Sequence, residues 1–388
     1  MGRKEAARVA LVPCGSYDGE TVYQAVKWGV EALGGMAAFV RPEEKVLIKP
    51  NLLGKQPPQM AVTTHPAVFA AAARLLRENG CADISYGDSP GNPNATPQSA
   101  AEGSGIAEEA ERLGVRQGDF DSGSAVRFDG AKQRRSFVLC RGVQEADAVV
   151  NVAKMKTHAL ERITGAMKNL YGCIWGMNKS AGHVRYPNSW VFADMLADLQ
   201  KCVAPRLHIL DGVTAMEGNG PTSGTPTPMN VILLSDDPVA LDSVFAMLVY
   251  LEPSAVPTCV SGYRAGLGEM RPEHIRVLTP DGELTAAQAQ EKYGRADFDV
   301  FRGEMKRSLL GKLFPLLPRL QARPVVDRAK CVACGLCEKA CPVPEKAVNS
   351  GNGHKARYDY SRCIRCYCCQ EMCPAKAIRV QRGRWGGK

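Results

Sequence analysis

Two stretches near the end of the chain, CVACGLCEKACP (331–342) and CIRCYCCQEMCP (363–374), decide the fold of the region that contains them. Each reads C-x2-C-x2-C-x3-C-P, and the second repeats the first with an offset of 32 residues. The same offset aligns Asp327 with Asp359, so the region is an internal duplication rather than a chance enrichment in cysteine.

The spacing within each repeat predicts two [4Fe–4S] clusters. Three cysteines at two-residue gaps wrap one cuboidal cluster from a tight loop, and the fourth, followed by proline, reaches the other cluster. Paired C-x-x-C units also bind zinc, but a third cysteine at the same gap, repeated in register, is not a zinc pattern. We expect Cys368, which stands where the first half has Leu336, to be a small apolar contact rather than a ligand. The predicted cluster 1 ligands are Cys331, Cys334, Cys337 and Cys373, and the predicted cluster 2 ligands are Cys363, Cys366, Cys369 and Cys341.

This part of the chain resembles the two-cluster bacterial-type ferredoxin domain. The resemblance implies a small α+β domain that carries single electrons at low potential. Basic residues near the cysteines, Lys330, Arg362 and Arg365, should raise the potentials somewhat. We predict this domain at 325–388, after a linker at 306–324 that is apolar and interrupted by prolines.

Composition predicts a soluble, cytoplasmic protein. The chain has 388 residues, 45% of them hydrophobic and 23% charged, which suits two or three globular domains. Nine of the 15 cysteines fall between 331 and 373, which favours metal binding in a reducing compartment over disulfides. No apolar run approaches the ~20 residues needed to span a bilayer, and the N-terminus lacks the apolar stretch of a secretory signal.

The positive charge of the chain, +9 in all, raises the question of nucleic-acid binding. From Cys331 to the end there are 11 Lys and Arg against four Asp and Glu. This excess has no interleaved aromatic platform of the kind that nucleic-acid binders use, so we expect no nucleic-acid partner. A docking face for an acidic redox protein fits the charge at least as well.

Residues 1–305 alternate predicted strands and helices. This order indicates an α/β domain with a mostly parallel sheet and helices on both faces. The helix that precedes Gly80 is predicted to begin with Thr64 as its N-cap. The predicted helices are 18–33, 64–80 and 236–251, and the predicted strands are 8–14, 45–50, 82–88, 147–155, 206–212, 229–235 and 274–280.

Polar residues cluster where these predicted strands end. Ligands of parallel sheets bind outside the carboxyl ends of the strands, so the residues could converge on one pocket. Lys and His beside Asn and Asp suit an anionic ligand or proton transfer; equally, Asp88 and Asp237 could be helix caps or turn residues. The candidate catalytic residues are Lys156, His158, Asp88, Asp211 and Glu217, and the candidate cofactor-binding residues are Lys49, Asn51, Ser89, Lys154, Lys168 and Asn169.

Six runs, IKPNLL, GDSPG, KMKTH, GAMKNLYG, LDGVTAMEGNGP and SDDPVALDSV, resemble the uncharacterised family numbered 362 among the domains of unknown function. The resemblance covers most of residues 8–250. Members of that family often carry a C-terminal two-cluster ferredoxin domain. The resemblance implies one domain with a shared pocket and names no substrate.

These features favour an iron–sulfur oxidoreductase that passes electrons through two [4Fe–4S] clusters to a substrate or cofactor in the α/β domain. An anionic small molecule is the expected substrate class, and a redox protein is the expected electron donor or acceptor. A flavin would suit the exchange of single electrons for pairs, but no residue pattern indicates one. Two alternatives stay open: a non-enzymatic electron-transfer subunit that docks to a larger redox complex, and a protein that handles a cofactor or metal.

Overall fold

A ten-stranded sheet forms the large domain of the protein. The structure is a computed structural model that describes residues 6–92, 94–176, 178–186, 188–303 and 322–381. The large domain contains the strands β1 (Ala7–Pro13), β2 (Val46–Pro50), β3 (Ile84–Tyr86), β4 (Arg116–Gln117), β5 (Gly123–Arg127), β6 (Ser136–Cys140), β7 (Ala148–His158), β8 (Arg162–Thr164), β9 (Leu207–Glu217), β10 (Thr225–Ser235), β11 (Ile275–Thr279) and β12 (Gly282–Thr285).

The strand order in this sheet is β12-β11-β1-β10-β9-β7-β2-β3-β4, and β8 pairs with β7. Strands β9, β7, β2, β3 and β4 run parallel to one another, whereas β8 is antiparallel to β7. The turn at 218–224 joins the adjacent strands β9 and β10 directly, which makes β10 antiparallel to both of its neighbours. Strands β5 and β6 form a separate hairpin.

Helices cover both faces of the sheet because successive side chains of a buried strand point to opposite sides. The helices are α1 (Gly19–Ala32), α2 (Pro66–Glu78), α3 (Pro97–Ser104), α4 (Ile106–Arg112), α5 (Arg141–Gln144), α6 (Ala166–Asn169), α7 (Asn178–Arg185), α8 (Ser189–Val203), α9 (Pro238–Leu248), α10 (Pro257–Arg264) and α11 (Ala286–Tyr293). In β1, Ala10 and Val12 pack into the core under α1 to α4, whereas Val9 and Leu11 pack under α9 to α11.

The prediction of Thr64 as a helix cap is wrong. The N-cap of α2 is His65, whose Nδ1 accepts the backbone N–H of Ala67 at 3.2 Å. Thr64 instead ties two strand ends together: its hydroxyl donates to the Val152 carbonyl at 2.7 Å and accepts the Asn51 backbone N–H at 2.8 Å. The Thr64 hydroxyl therefore forms its hydrogen bonds with the sheet and does not cap the helix.

The small domain contains two short antiparallel strand pairs and two one-turn helices. Strand β13 begins at Arg323, inside the predicted linker, whose residues up to 321 lie outside the described part of the chain. The prediction of an α/β domain followed by a small α+β domain is confirmed. The small-domain elements are β13 (Arg323–Val326), α12 (Leu336–Lys339), β14 (Val348–Gly351), β15 (His354–Tyr358), α13 (Cys368–Glu371) and β16 (Ile378–Gln381), with β13 paired to β16 and β14 to β15.

Among the helices that the structure describes, none is both long and apolar enough to cross a membrane.

Candidate redox site between the two domains

Eight cysteines of the small domain surround two small cavities. Apolar residues complete both walls. Each cavity therefore combines three cysteines of one repeat with the fourth cysteine of the other, as a two-cluster ferredoxin requires. The first cavity is lined by Cys331, Cys334, Cys337 and Cys373, and the second by Cys363, Cys366, Cys369 and Cys341.

The eight cysteines form no ready-made site for a single metal ion: in the described ranges, no three His, Cys, Asp or Glu side chains lie close enough together to hold one. Two sulfurs also accept hydrogen bonds: Cys369 Sγ from the Tyr358 hydroxyl at 3.3 Å, and Cys373 Sγ from the Ala377 backbone N–H at 3.2 Å.

Helix α13 docks the small domain onto the turn at 218–224. Gln370 is fully buried, and its side-chain amide donates to the Asn219 carbonyl at 2.8 Å. The Thr222 hydroxyl donates to the Glu371 carbonyl at 2.7 Å. The Asn219 side chain donates to the carbonyl of Ile378, in β16, at 2.9 Å. These contacts fix the position of the second cysteine cavity relative to the sheet.

A cavity of about 570 Å³ lies between the domains. Its volume falls within the range of small-molecule sites, roughly 300–1,000 Å³. Cys341 and Pro342 line both this cavity and the second cysteine cavity, so the two cavities share part of their wall. The large domain contributes Asn51, Asp88, Ser89, Lys156, Lys168, Asn169 and Lys179 to the wall, and the small domain contributes Lys339, Cys341, Lys346, Cys368, Glu371 and Met372.

Lys49 and Asp88 form a buried ion pair at the ends of β2 and β3. Lys49 Nζ lies 2.9 Å from Asp88 Oδ1, and both side chains are almost fully buried. The other carboxylate oxygen of Asp88 accepts the Leu52 backbone N–H at 2.6 Å. A Cβ at Gly172 would collide with this pair, so a side chain there is excluded. Asp88 thus reaches the cavity with its charge already balanced by Lys49.

A chain of amide groups links the ends of β2 and α6 to the first half of β7. The Asn51 side-chain nitrogen donates to Asn169 Oδ1 at 2.9 Å, and the Asn169 nitrogen donates to Asn151 Oδ1 at 2.7 Å. This order directs the Asn51 oxygen toward Lys156, whose Nζ donates to it at 2.6 Å. Burial, together with the nearby Lys168 and Lys154, lowers the pKa of Lys156 well below its usual range.

His158 meets Glu371 across the domain boundary. His158 Nδ1 accepts the backbone N–H groups of Leu160 and Glu161 at 3.1 Å, so the neutral ring carries its proton on Nε2. Nε2 lies 3.1 Å from Glu371 Oε1. Burial and then the Lys168 charge lower the pKa of His158 to about 4, so the ring is neutral at pH 7.

Lys154 and Asp211 form a second buried ion pair that does not line the cavity. Lys154 Nζ lies 2.8 Å from Asp211 Oδ2 and also donates to the Tyr17 hydroxyl at 2.7 Å. That hydroxyl donates to Asp211 Oδ1 at 2.8 Å. The candidate residues therefore form two separate groups, because Lys154 and Asp211 lie apart from the residues that line the cavity.

Two further acidic residues of the predicted runs have structural partners. The Glu217 carboxylate accepts the Asp299 backbone N–H at 2.9 Å and does not line the cavity. Asp237 caps α9 by accepting the backbone N–H groups of Val239 and Ala240, so the alternative prediction of a helix cap is confirmed.

Sequence patterns did not single out several residues of the wall. Lys179 is buried, donates to the Ser89 carbonyl, and has its pKa lowered to about 8 by burial. Glu371 stands in the cysteine repeat at the position that Lys339 occupies in the first half. That difference between the two halves is the one signal in the sequence that could have marked Glu371. Cys368 lines the interdomain cavity and neither cysteine cavity.

The fold and the cysteine cavities define an iron–sulfur protein with an α/β domain. Residues 323–374 match the 4Fe-4S dicluster domain, which indicates iron–sulfur electron transfer. Residues 46–247, half of the chain, match the family described as Domain of unknown function (DUF362). The chain belongs to that family, and both resemblances predicted from its motifs are confirmed.

A curated relative and a solved structure are among the proteins similar to this chain. The thylakoid-associated protein sll1697 of Synechocystis sp. is 35% identical over 278 residues, which are 71% of this chain and 85% of that protein. The lactate racemase apoprotein from Thermoanaerobacterium thermosaccharolyticum aligns with a TM-score of 0.42 and 13% identity, over 62% of this chain and 57% of that one.

Proposed function

We propose that this protein is an iron–sulfur oxidoreductase, in which a compound bound in the interdomain cavity exchanges electrons with two [4Fe–4S] clusters of the small domain. One observation carries the proposal: a single cavity is lined by Cys341, a predicted cluster 2 ligand, and by strand-end residues such as Asn51 and Lys156. An electron-transfer subunit that only docks to a larger complex has no need of such a cavity.

The cysteines of the two small cavities would hold these clusters. Cys331, Cys334, Cys337 and Cys373 would hold cluster 1, and Cys341, Cys363, Cys366 and Cys369 would hold cluster 2. When bound, such clusters supply one electron at a time. The hydrogen bonds to the Cys369 and Cys373 sulfurs would stabilise negative charge there and thereby raise the potentials.

The cavity wall suits an anionic compound. Five lysines line it, against three carboxylates, and two of these, Asp88 and Glu371, already face Lys49 and His158. The Lys168 side chain makes no hydrogen bond or ion pair within the part of the chain that the structure describes. Lys168 would therefore bind the anionic group, and Lys179, with a pKa near 8, would hold or release a proton beside it. The five lysines are Lys156, Lys168, Lys179, Lys339 and Lys346.

An acidic redox protein would exchange electrons at the opposite side of the small domain. Cys334 is exposed, and the neighbouring Val332 keeps 65% of its surface exposed. Exposed basic residues, Arg328, Lys330 and Lys355, stand near these positions, and complementary charge steers such partners. A cytoplasmic location is part of the proposal, because exposed cluster thiolates suit a reducing compartment.

Reoxidation of the reduced protein tests the proposal. The full chain is reconstituted and reduced anaerobically, then mixed with pyruvate, 2-oxoglutarate, fumarate or glyceraldehyde 3-phosphate while the clusters are followed by visible and EPR spectra. We expect at least one compound to reoxidise the protein, and Lys168→Met to slow the reaction about ten-fold, equivalent to ~1.4 kcal/mol of binding.

The matched control is Lys45→Met, because Lys45 is exposed just before β2, at the end of the strand away from the cavity. This variant should react at the wild-type rate. The proposal is wrong if no compound alters reoxidation and crystals soaked with each compound show nothing bound in the cavity.

A further inference from the structure

Three lysines at the ends of β2 and β7 are fully buried, and two of them are paired with a carboxylate. Lys49 lies 2.9 Å from Asp88, and Lys154 lies 2.8 Å from Asp211. A carboxylate at such a distance favours the charged ammonium form, which cannot act as a nucleophile. Lys156 differs: across the residues with described positions, no carboxylate lies within ion-pair distance of its Nζ.

The amino group of Lys156 contacts two uncharged oxygens. Its Nζ donates to Asn51 Oδ1 and to the Val62 carbonyl, at 2.6 Å in each case. The side chain is 1% exposed and lines the interdomain cavity. A neutral amine has two N–H donors and one lone pair. The two oxygens accept both donors, so the lone pair remains for the cavity.

The amide chain prevents Asn51 from turning its nitrogen toward Lys156. Because Asn51 Nδ2 donates to Asn169 Oδ1 at 2.9 Å, its oxygen is the atom that faces the amine. Asn169 is held in turn by its bond to Asn151 Oδ1 at 2.7 Å. The structure therefore positions the amine with an acceptor that orients it without supplying a negative charge.

The charges around Lys156 also favour the neutral amine. The like charges of Lys168 and Lys154 add to the effect of burial, and together they hold the pKa of Lys156 well below its usual range. The opposite charges of Asp88 and Glu371 act the other way, but each faces another base. At neutral pH, a lysine in this setting is a nucleophile.

We propose that Lys156 forms an imine with a small carbonyl compound whose anionic group is bound by Lys168 and Lys179. The lone pair of Nζ attacks the carbonyl carbon, and the new C–N bond becomes the C=N bond as the carbonyl oxygen leaves. That oxygen takes both amine protons and departs as water, so the condensation consumes no electrons. The inference takes its ligand cavity from the proposed function and is independent of electron transfer.

Reductive trapping tests the imine directly. The full, cluster-loaded chain is incubated anaerobically with pyruvate and sodium cyanoborohydride, and its peptides are mapped by mass spectrometry. We expect a carboxyethyl group on Lys156 and none on Lys49 or Lys154, which serve as controls in the same digest. Acetone, which has the carbonyl but no anionic group, should label Lys156 at least about ten-fold less.

The pH dependence provides a second readout that needs no variant. An ordinary lysine loses its neutral fraction about ten-fold per pH unit below its pKa. We therefore expect the ratio of Lys156 labelling to surface-lysine labelling to rise as the pH falls from 8 to 7. A constant ratio, or no adduct on Lys156 with pyruvate, 2-oxoglutarate or glyoxylate, overturns the inference.

Asn51→Asp sharpens the test, because it gives Lys156 the carboxylate that the other two lysines have. Labelling at pH 7 should fall at least about ten-fold, since the pKa of the amine rises. Asn349→Asp makes the same change at an exposed position of the small domain and should label like the wild type. Equal labelling of Asn51→Asp and the wild type overturns the inference; if Asn51→Asp fails to fold, the wild-type peptide map and pH ratio decide.

The outcomes separate the two proposals. Trapping without any cluster reoxidation would support the imine and contradict the proposed oxidoreductase activity. Reoxidation without trapping would support the oxidoreductase activity and contradict the imine.

Discussion

The two helices of the cysteine repeat, α12 and α13, occupy equivalent positions but meet different surroundings. In α12, Glu338 accepts the Ser350 backbone N–H at 2.6 Å inside the small domain, and Lys339 is exposed. In α13, the equivalent residues are Gln370 and Glu371, which face the α/β domain. The duplication therefore diverged where its second half meets the large domain.

The two cysteine cavities differ in the same direction. Cys334 of the first cavity is exposed, whereas Cys366 and Cys369 of the second are buried. Cys341 of the second cavity also lines the interdomain cavity. If the proposed function holds, two nearly identical ligand loops have separate tasks, because the first would face a protein partner and the second the substrate.

The largest effect is expected when Gln370, the docking residue of α13, is replaced by glutamate, the residue at the equivalent position of α12. Gln370→Glu replaces a donor to two carbonyls, those of Asn219 and Gly220, with a buried carboxylate. An uncompensated buried charge costs about 3–5 kcal/mol. We expect the small domain to separate from the turn at 218–224, measured as faster amide hydrogen exchange at that turn and a lower free energy of unfolding.

The reciprocal change, Glu338→Gln, is the control. A glutamine oxygen can still accept the Ser350 N–H, so exchange and stability should change little, within about 0.5–1 kcal/mol. Equal effects of the two substitutions would contradict the claim that α13 docks the small domain onto the turn at 218–224 and α12 does not.

An intermediate effect concerns acid sensitivity on the α13 side. Burial lowers the pKa of four histidines, those of His65, His158 and His183 to about 4 and that of His208 to about 3. Between these values and the unfolded value of about 6.5, each of these histidines binds more protons in the unfolded chain. Each should therefore lower the stability as pH drops from 6.5 toward 4, by about 1.4 kcal/mol per pH unit, while Glu161 and Asp242, whose pKa burial raises to about 8 and about 7, act in the opposite direction.

His158→Gln tests this account, because a glutamine can keep the acceptor and the donor of the ring without titrating. Unfolding by urea at pH 7 and pH 5 should show that the variant loses about 2 kcal/mol less stability on acidification than the wild type. His274→Gln, at an exposed histidine of the large domain, is the control and should behave like the wild type. An unchanged pH slope in His158→Gln would contradict the buried neutral ring.

The smallest effect is expected at Cys368, the cysteine without a counterpart in the first half. Cys368→Ala should leave the iron content unchanged and alter the free energy of unfolding by less than about 1 kcal/mol, because the residue lines neither cysteine cavity. Cys366→Ser, only two residues away, should lose one cluster. Iron loss in Cys368→Ala would mean that this cysteine is a ligand.

The sequence predicted the architecture well because its signals are local. Strand and helix periods alternate through most of the large domain, and the repeated cysteine spacing identifies the ferredoxin fold without reference to distant residues. The sequence pattern predicts β10 as a strand but does not predict that it runs antiparallel to β9. That direction depends on the turn at 218–224.

The site was predicted less completely because its polar residues are buried by distant partners. The predicted strand 147–155 ends early, since lysine and histidine ordinarily mark a strand end; β7 continues to His158. Lys154, Lys156 and His158 tolerate burial through partners 57, 105 and 213 residues away. No window of sequence contains such pairs, so a solvated strand end and a buried site are indistinguishable before folding.

The most direct measurement of the central claim compares two cluster-ligand variants. Cys334→Ser and Cys366→Ser are reduced anaerobically with dithionite, which reaches either cluster, and then mixed with the compound that reoxidises the wild type. The arrangement of the cavities predicts reoxidation at the wild-type rate in Cys334→Ser and none in Cys366→Ser. Reoxidation of Cys366→Ser, with Cys334→Ser remaining reduced, would contradict it.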